Sequence, residues 1–248
     1  MAGNKGLWAL LILFVALLFF SVYSYVGLTG RAISNTEEIK IGFMGPLTGD
    51  AASYGQSIKR GVDLALEDSN LKSVKIIYED SKCDPKDAVN SINKLINVDK
   101  VIAIVGEVCS GATLAAAPIA EENKIVLISA SSTSPQITNS GDYIFRTVPS
   151  DSLQGIFAAK LIYDKSYKRL AILHGNEDYG IGLKEVLKKE FENLGAHVVS
   201  TEAFEPGAAD VRTQLTKIKN SNPDVIYVIS NSPDTAVASL RQIKELGI

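Results

Sequence analysis

The stretch that decides the fold is Val101-Ile-Ala-Ile-Val-Gly-Glu-Val-Cys-Ser-Gly-Ala-Thr113, continued by the run 114–122. Residues 101–105 are an apolar run that reads as a strand, and 114–122 are Ala-rich and read as a helix. A strand that turns into a helix at the carboxyl edge of a parallel sheet makes a natural ligand site. Exposed N–H groups and the helix dipole favour an anion there. Ser110 supplies a hydroxyl at the helix entrance, and Cys109 beside it offers a way to tie the turn down.

Outward from this turn the same alternation recurs. Residues 39–44 read as a strand ending in the loop Gly45-Pro-Leu-Thr-Gly-Asp50, and 53–68 as a helix with Ile58, Val62, Ala65 and Leu66 at helical spacing. Residues 74–78 are the next strand. Asp84 and Pro85 then suit an N-cap and a first helical position, ahead of the apolar face Ala88, Ile92, Leu95 and Ile96. Strand 125–129 ends in a second polar turn, Ala130-Ser-Ser-Thr-Ser-Pro135, and 143–146 form a fifth short strand.

Near Val148-Pro149-Ser150 the series restarts. Helix 152–163, strand 169–173, the turn His174-Gly-Asn-Glu-Asp-Tyr-Gly180, helix 183–194, strand 197–203, helix 211–219, strand 225–229 and helix 235–246 follow. Two successive βα series predict an α/β fold of two doubly wound parallel-sheet lobes, 38–148 and 149–248, with a ligand cleft between them. The chain stops after a cap-like Gly247, where a further strand is expected, so both lobes are read as partial.

The 248 residues carry a net charge of −3 with no basic stripe, which argues against nucleic acid as a partner. Two histidines, His174 and His197, and two cysteines at no zinc spacing lead us to expect neither metal nor cofactor. At the N-terminus, Lys5 precedes an uncharged apolar run over 7–26. As a helix that run would span about 30 Å, the thickness of a bilayer core. It is long for the apolar core of a cleaved leader, and Tyr23 and Tyr25 lie near its outer end as interface anchors do. The reading is a membrane-spanning signal anchor and linker over 1–37, with the body extracytoplasmic. Cleaved export, at a weak small-x-small site formed by Ala32 and Ser34, is the alternative.

Either route leads to an oxidising space. Cys83 follows strand 74–78 and Cys109 follows strand 101–105, so both fall at one edge of the expected sheet. A Cys83–Cys109 bridge is the expectation, and two unrelated small buried residues the alternative.

Catalytic chemistry finds no support. A nucleophile elbow needs glycine two residues before the serine, and before Ser110 that residue is Val108. The glycines at 42, 45 and 49 make neither a dinucleotide fingerprint nor a P-loop. Binding does better. The turns Ser110–Thr113 and Ser131-Ser132-Thr133-Ser134 offer hydroxyls with backbone donors, which suits a carboxylate or another small oxyanion. Tyr54 and Tyr179 occur at two more strand-to-helix turns and are placed to close over a small ligand. Each feature alone is as readily a helix cap or packing; their coincidence at one edge makes the site.

At this point the chain resembles a known family. Ile39-Lys-Ile-Gly-x-x-Gly-Pro-Leu-Thr-Gly49 with Tyr54-Gly55, Asp80-x-x-Cys83-Asp84-Pro85, and Cys109-Ser110 with Thr113 carry the likeness. So do Ile128-Ser129 with Thr133-x-Pro135, Phe145-Arg146-Thr147, and Asp178-Tyr179-Gly180-x-Gly182. The ordered set is similar to the type I periplasmic binding proteins of branched-chain amino acid transporters, the leucine/isoleucine/valine-binding group.

The resemblance implies a two-lobed receptor that closes on an amino acid and delivers it to the permease of an ABC transporter. Ser110 and Thr133 would hold the ligand carboxylate, and the turn at Ser131 and Ser132 would offer a carbonyl to the ammonium. Tyr54 and Tyr179 would flank the ligand, and Cys83–Cys109 would be the family's bridge. Two departures stand out. Ser230-Asn231-Ser232 replaces aromatic residues, implying a more polar pocket, and the second-lobe acid that pairs with the ammonium would lie beyond Ile248. An unpaired buried ammonium costs about 3–5 kcal/mol, so weak binding by these residues alone is expected. An anchored sensory ectodomain for amino acids or amides is the alternative on the same fold. An amidase-like enzyme is a third reading, and a sugar-responsive repressor is disfavoured by the apolar segment where a DNA-binding helix pair would stand.

Overall fold

Residues 38–248 are described by a computed structural model. Ile39–Gly45 (β1), Val74–Asp80 (β2), Ala103–Val105 (β3), Val126–Ser129 (β4) and Ile144–Arg146 (β5) form one sheet in the order β2-β1-β3-β4-β5. Arg169–Gly175 (β6), His197–Phe204 (β7) and Val225–Ile229 (β8) form another, in the order β7-β6-β8. Every pairing is parallel. The connecting helices are Ala52–Ser69 (α1), Pro85–Lys94 (α2), Ser110–Asn123 (α3), Asp151–Asp164 (α4), Asp178–Asn193 (α5), Arg212–Asn220 (α6) and Pro233–Glu245 (α7).

In each sheet the winding reverses beside the first strand. β1 has β2 on one side and β3 on the other, and β6 lies between β7 and β8. Loops leaving the carboxyl ends of β1 and β3, and of β6 and β8, therefore diverge and open a crevice. That topology sends Tyr54, Cys109-Ser110, Tyr179 and Ser230-Asn231 to strand-end edges.

The packing that holds these edges is apolar and small on the first sheet. Met44, Ile104, Leu127 and Ile144 meet Ala88 and Ile92 of α2, Leu95 just after it, and Ala112, Ala116, Ala117 and Ala120 of α3. Alanines at 112, 116 and 120 put methyl groups on one helix face, which lets α3 lie close to the sheet. In the second sheet Leu170, Ile172 and Ile229 pack under α4 and α5, where Leu183, Leu187 and Phe191 are fully buried. Burying each of those large side chains contributes about 1.5–3 kcal/mol. Ala171, Leu173 and Phe204 pack on the other side with Leu215 and Ile218 of α6.

The α/β alternation is as expected, but several boundaries move. α3 begins at Ser110 rather than 114, and α5 at Asp178 rather than 183. Strand 101–105 shortens to Ala103–Val105 because α2 runs on into a π-helical turn, Leu95–Asp99. Lys100 leaves that turn at φ 59°, and the Val101 N–H still donates to the Leu95 carbonyl. A 3₁₀ turn, Pro135–Asn139, follows the second polar turn and was not anticipated. The expected anchor over 7–26 lies outside the described residues. Among those described, no helix is long and apolar enough to cross a membrane.

Candidate functional site

The β3–α3 turn is built to leave its helix entrance open. Gly106 sits at φ 134°, and a Cβ there would stand 2.0 Å from the Met44 carbonyl oxygen, so only glycine lets β3 leave the sheet this way. Cys109 is the extended N-cap of α3, yet its side chain caps no N–H. It is bonded to Cys83 instead, with Cα atoms 5.4 Å apart, and the expected bridge is present. Cys83 is itself placed by Asp84, which caps α2 by accepting from Lys86 and Asp87 N–H at 2.8 and 3.0 Å, as expected. Ser110 Oγ accepts the Ser134 N–H at 3.2 Å, so its own proton remains to be donated.

The second turn is held from behind. Ser129 Oγ accepts the Ser132 N–H at 2.9 Å, and Ser132 Oγ pairs with Thr113 Oγ1 at 2.7 Å. Thr133 Oγ1 donates to Asp151 Oδ2 at 2.7 Å, and the Asp151 N–H returns to the Thr133 carbonyl at 2.8 Å. Arg146 Nη1 donates to the carbonyls of Thr133 and Ser134. With its proton committed to Asp151, the Thr133 hydroxyl turns lone pairs outward; it is an acceptor. Asp151 is buried and its Oδ1 has no hydrogen bond to any described residue. Burial first of all pushes its carboxyl up, while Thr133 and Arg146 pull it down.

The β6–α5 turn is built the opposite way. Glu177 is the N-cap of α5 and its carboxylate accepts from Tyr179 and Gly180 N–H at 2.8 and 2.9 Å. The helix's first donors are consumed and an acid is put in their place. Burial holds the Glu177 carboxyl above the usual range against those two N–H groups, and Asp178 and Asp151 add to burial. Burial and then Asp151 also push the Tyr179 phenol up, so it stays neutral.

These edges meet at a cavity of 190 Å³. Tyr54, Ser110, Ser131, Thr133 and Tyr179 all line it. Ser132 does not; it is buried behind the turn, bonded to Thr113 and to the Glu107 carbonyl. Ser230 and Asn231 line the cavity where the sequence shows polar residues after β8. Gln154 and Val108 were missed: Gln154 lies in the second turn of α4, and nothing in its spacing marks it. A larger hollow of 620 Å³ continues past Cys109 and Asn231 toward Asp84, Glu177 and Lys82. Among the described residues no cluster of His, Cys, Asp or Glu suits a metal ion.

Facing switch-point edges around a small cavity lined by serine, threonine, tyrosine, asparagine and glutamine side chains place the chain in the parallel-sheet α/β class, with room for a small polar ligand. A family model described as periplasmic binding protein matches residues 38–248, and the chain belongs to that family. An "Amino acid binding protein" of Pseudomonas aeruginosa is 34% identical over 240 residues, which are 94% of this chain and 63% of that protein. The crystal structure of a leucine binding protein from Thermotoga maritima superposes with a TM-score of 0.77 at 31% identity, covering 85% of this chain and 61% of that one. A solute binding protein of an ABC transporter from R. palustris, in complex with 4-hydroxybenzoate, gives 0.78 at 26% identity, covering 84% and 58%. The chain thus spans somewhat over half the length of these relatives.

Proposed function

We propose that the chain is an extracytoplasmic solute-binding receptor whose two lobes, 38–148 and 149–248, close on a small amino acid of the branched-chain class and pass it to an ABC permease. The observation that carries this is the asymmetry of the two helix entrances. The uncapped start of α3, with the Ser110 proton, suits the carboxylate. Thr133 Oγ1, whose proton goes to Asp151, lines the same cavity as an acceptor, and Asp151 behind it and Glu177 in the adjoining hollow suit the ammonium. Ser131 lies between these poles, and Tyr54 and Tyr179 flank the ligand's side chain. Asn231 and Ser230 make that side-chain pocket more polar than a purely aliphatic one. Residues 7–26 anchor the receptor to the membrane, and catalysis plays no part.

The 4-hydroxybenzoate complex among the similar structures supports a second reading, an aromatic carboxylate with no ammonium. Calorimetric titration separates the two. Isoleucine is expected to bind in preference to 4-hydroxybenzoate, and Ser110→Ala to weaken isoleucine about 10- to 150-fold, the worth of a hydrogen bond to a charged group. Equal binding of isoleucine by the variant would remove Ser110 from the site. Preference for the benzoate would favour the second reading.

A further inference from the structure

Glu107 lies in the loop between β3 and α3, fully buried, and both turns of the candidate site hang on it. Its Oε2 accepts from the N–H groups of Val108 at 2.9 Å and Cys109 at 3.4 Å, the two residues that lead into Ser110. Its carbonyl oxygen accepts from the hydroxyls of Ser129 and Ser132, which shape the turn that carries Ser131 and Thr133. The second carboxyl oxygen, Oε1, has no well-formed hydrogen bond to any described residue. Neither has the hydroxyl of Ser81, which is also buried and lies beside Glu107 at the end of β2.

The charges around this carboxyl are negative or turned away. From the end of β2 comes Asp80, whose carboxylate is held ionised against its own burial by Thr48 Oγ1 and by the N–H groups of Leu47, Lys82 and Thr48. The Lys82 ammonium is exposed and paired with Asp87 of α2 at 3.4 Å. From α3 comes Cys109, whose sulfur is in the disulfide. β1 ends in Met44 and Gly45 against Gly106 and Val108, and β4 offers the Ser129 hydroxyl. Burial, above all, holds the Glu107 carboxyl above the usual range; the Ser81 hydroxyl and the Val108 and Cys109 N–H groups pull against it insofar as they donate to the ionised form, and Asp80 adds to burial. A lone carboxylate in such a place is costly, and burial of this kind favours the protonated form.

We propose that Glu107 is a positioning residue that works as a neutral carboxylic acid, donating the proton on Oε1 to Ser81 Oγ and so tying the end of β2 to both turns of the candidate site. Its link to a ligand rests on the amino-acid reading above, but the proton can be tested without one. The infrared spectrum of the full chain should show a protonated-carboxyl band that persists above the ordinary Glu range, is absent in Glu107→Gln and shifts in Ser81→Ala. Absence of that band overturns the proposal, and this readout needs no variant that might fail to fold.

Thermal unfolding gives the second readout. The folded-state value lies above the unfolded value of about 4.3, so the folded chain binds the extra proton. Stability from this group is fully present below the unfolded value and is lost as pH rises through the folded one. The loss reaches about tenfold in the folding equilibrium per pH unit across that window. Glu107→Gln, whose amide still donates to Ser81, should remove this slope; an unchanged slope overturns the proposal. Isoleucine affinity of the wild type should fall over the same window and that of the Gln variant should not. Binding with identical pH profiles in the two proteins overturns the coupling. A band and slope as expected with no isoleucine binding at all would support the proton tie and remove the amino-acid reading.

Discussion

The two strand-to-helix turns at the heart of this molecule have the same topology and opposite chemistry. β3 enters α3 through Cys109, whose sulfur is committed to a disulfide and whose helix entrance is uncapped. β6 enters α5 through Glu177, whose carboxylate takes the first N–H groups of its own helix. A bare helix start attracts an anion, whereas one filled by a buried acid repels anions and welcomes a cation. On the amino-acid reading proposed above, this contrast would let one fold read both ends of a zwitterion, with what occupies each N-cap setting the polarity of that pole.

The largest way to break this contrast is to cut the staple on the α3 side. Replacing Cys83 and Cys109 by serine opens a cross-link between positions 26 apart in the sequence, which in the chain-entropy picture is worth about 3.5 kcal/mol. Denaturant unfolding should show that loss, and a change below about 1 kcal/mol would mean the turn is held by its hydrogen bonds alone. Next in size is the loss of isoleucine affinity expected for Ser110→Ala. Smaller again is Glu177→Ala, which removes a cap worth about 1 kcal/mol. It should lower stability by that amount and bring isoleucine and 4-hydroxybenzoate affinities closer together, since the acid on the ammonium side is gone. Unchanged discrimination between the two ligands would show that Glu177 does not set the polarity of its edge.

Much of this was legible before the structure. Hydrophobic alternation located the strands, and Asp84-Pro85 announced α2 through capping chemistry. The two helix starts at the site were misplaced for one reason. Gly111 and Gly180 read as turn residues, yet they lie inside α3 and α5, where a side chain or backbone approaches them closely. A Cβ on Gly180 would stand 2.3 Å from the Gly175 carbonyl, and one on Gly111 would stand 2.7 Å from Asp178 Oδ2. Glycine there serves proximity, and proximity is invisible in a linear pattern.

The same limit hid the acids. Glu107, Asp151 and Glu177 are ordinary loop and helix-start residues by position. Their roles come from Ser81, Thr133 and the α5 backbone, brought to them by the fold. Ser132 shows the converse: it shares the polar turn with Ser131 and Thr133, but the Ser129 hydroxyl draws its N–H inward and leaves it behind the cavity wall.

The most direct test of the account is an amide NMR titration of the protein with isoleucine, which reports on weak and tight binding alike. The first and largest shifts should fall at Ser110, Gly111 and Ala112 at the open start of α3, with a second group at Thr133 and Asp151, and a plain carboxylate such as acetate should move only the first group. Isoleucine shifts centred on the Glu177 turn with none at Ser110, or no shifts in either turn at high concentration, would contradict it.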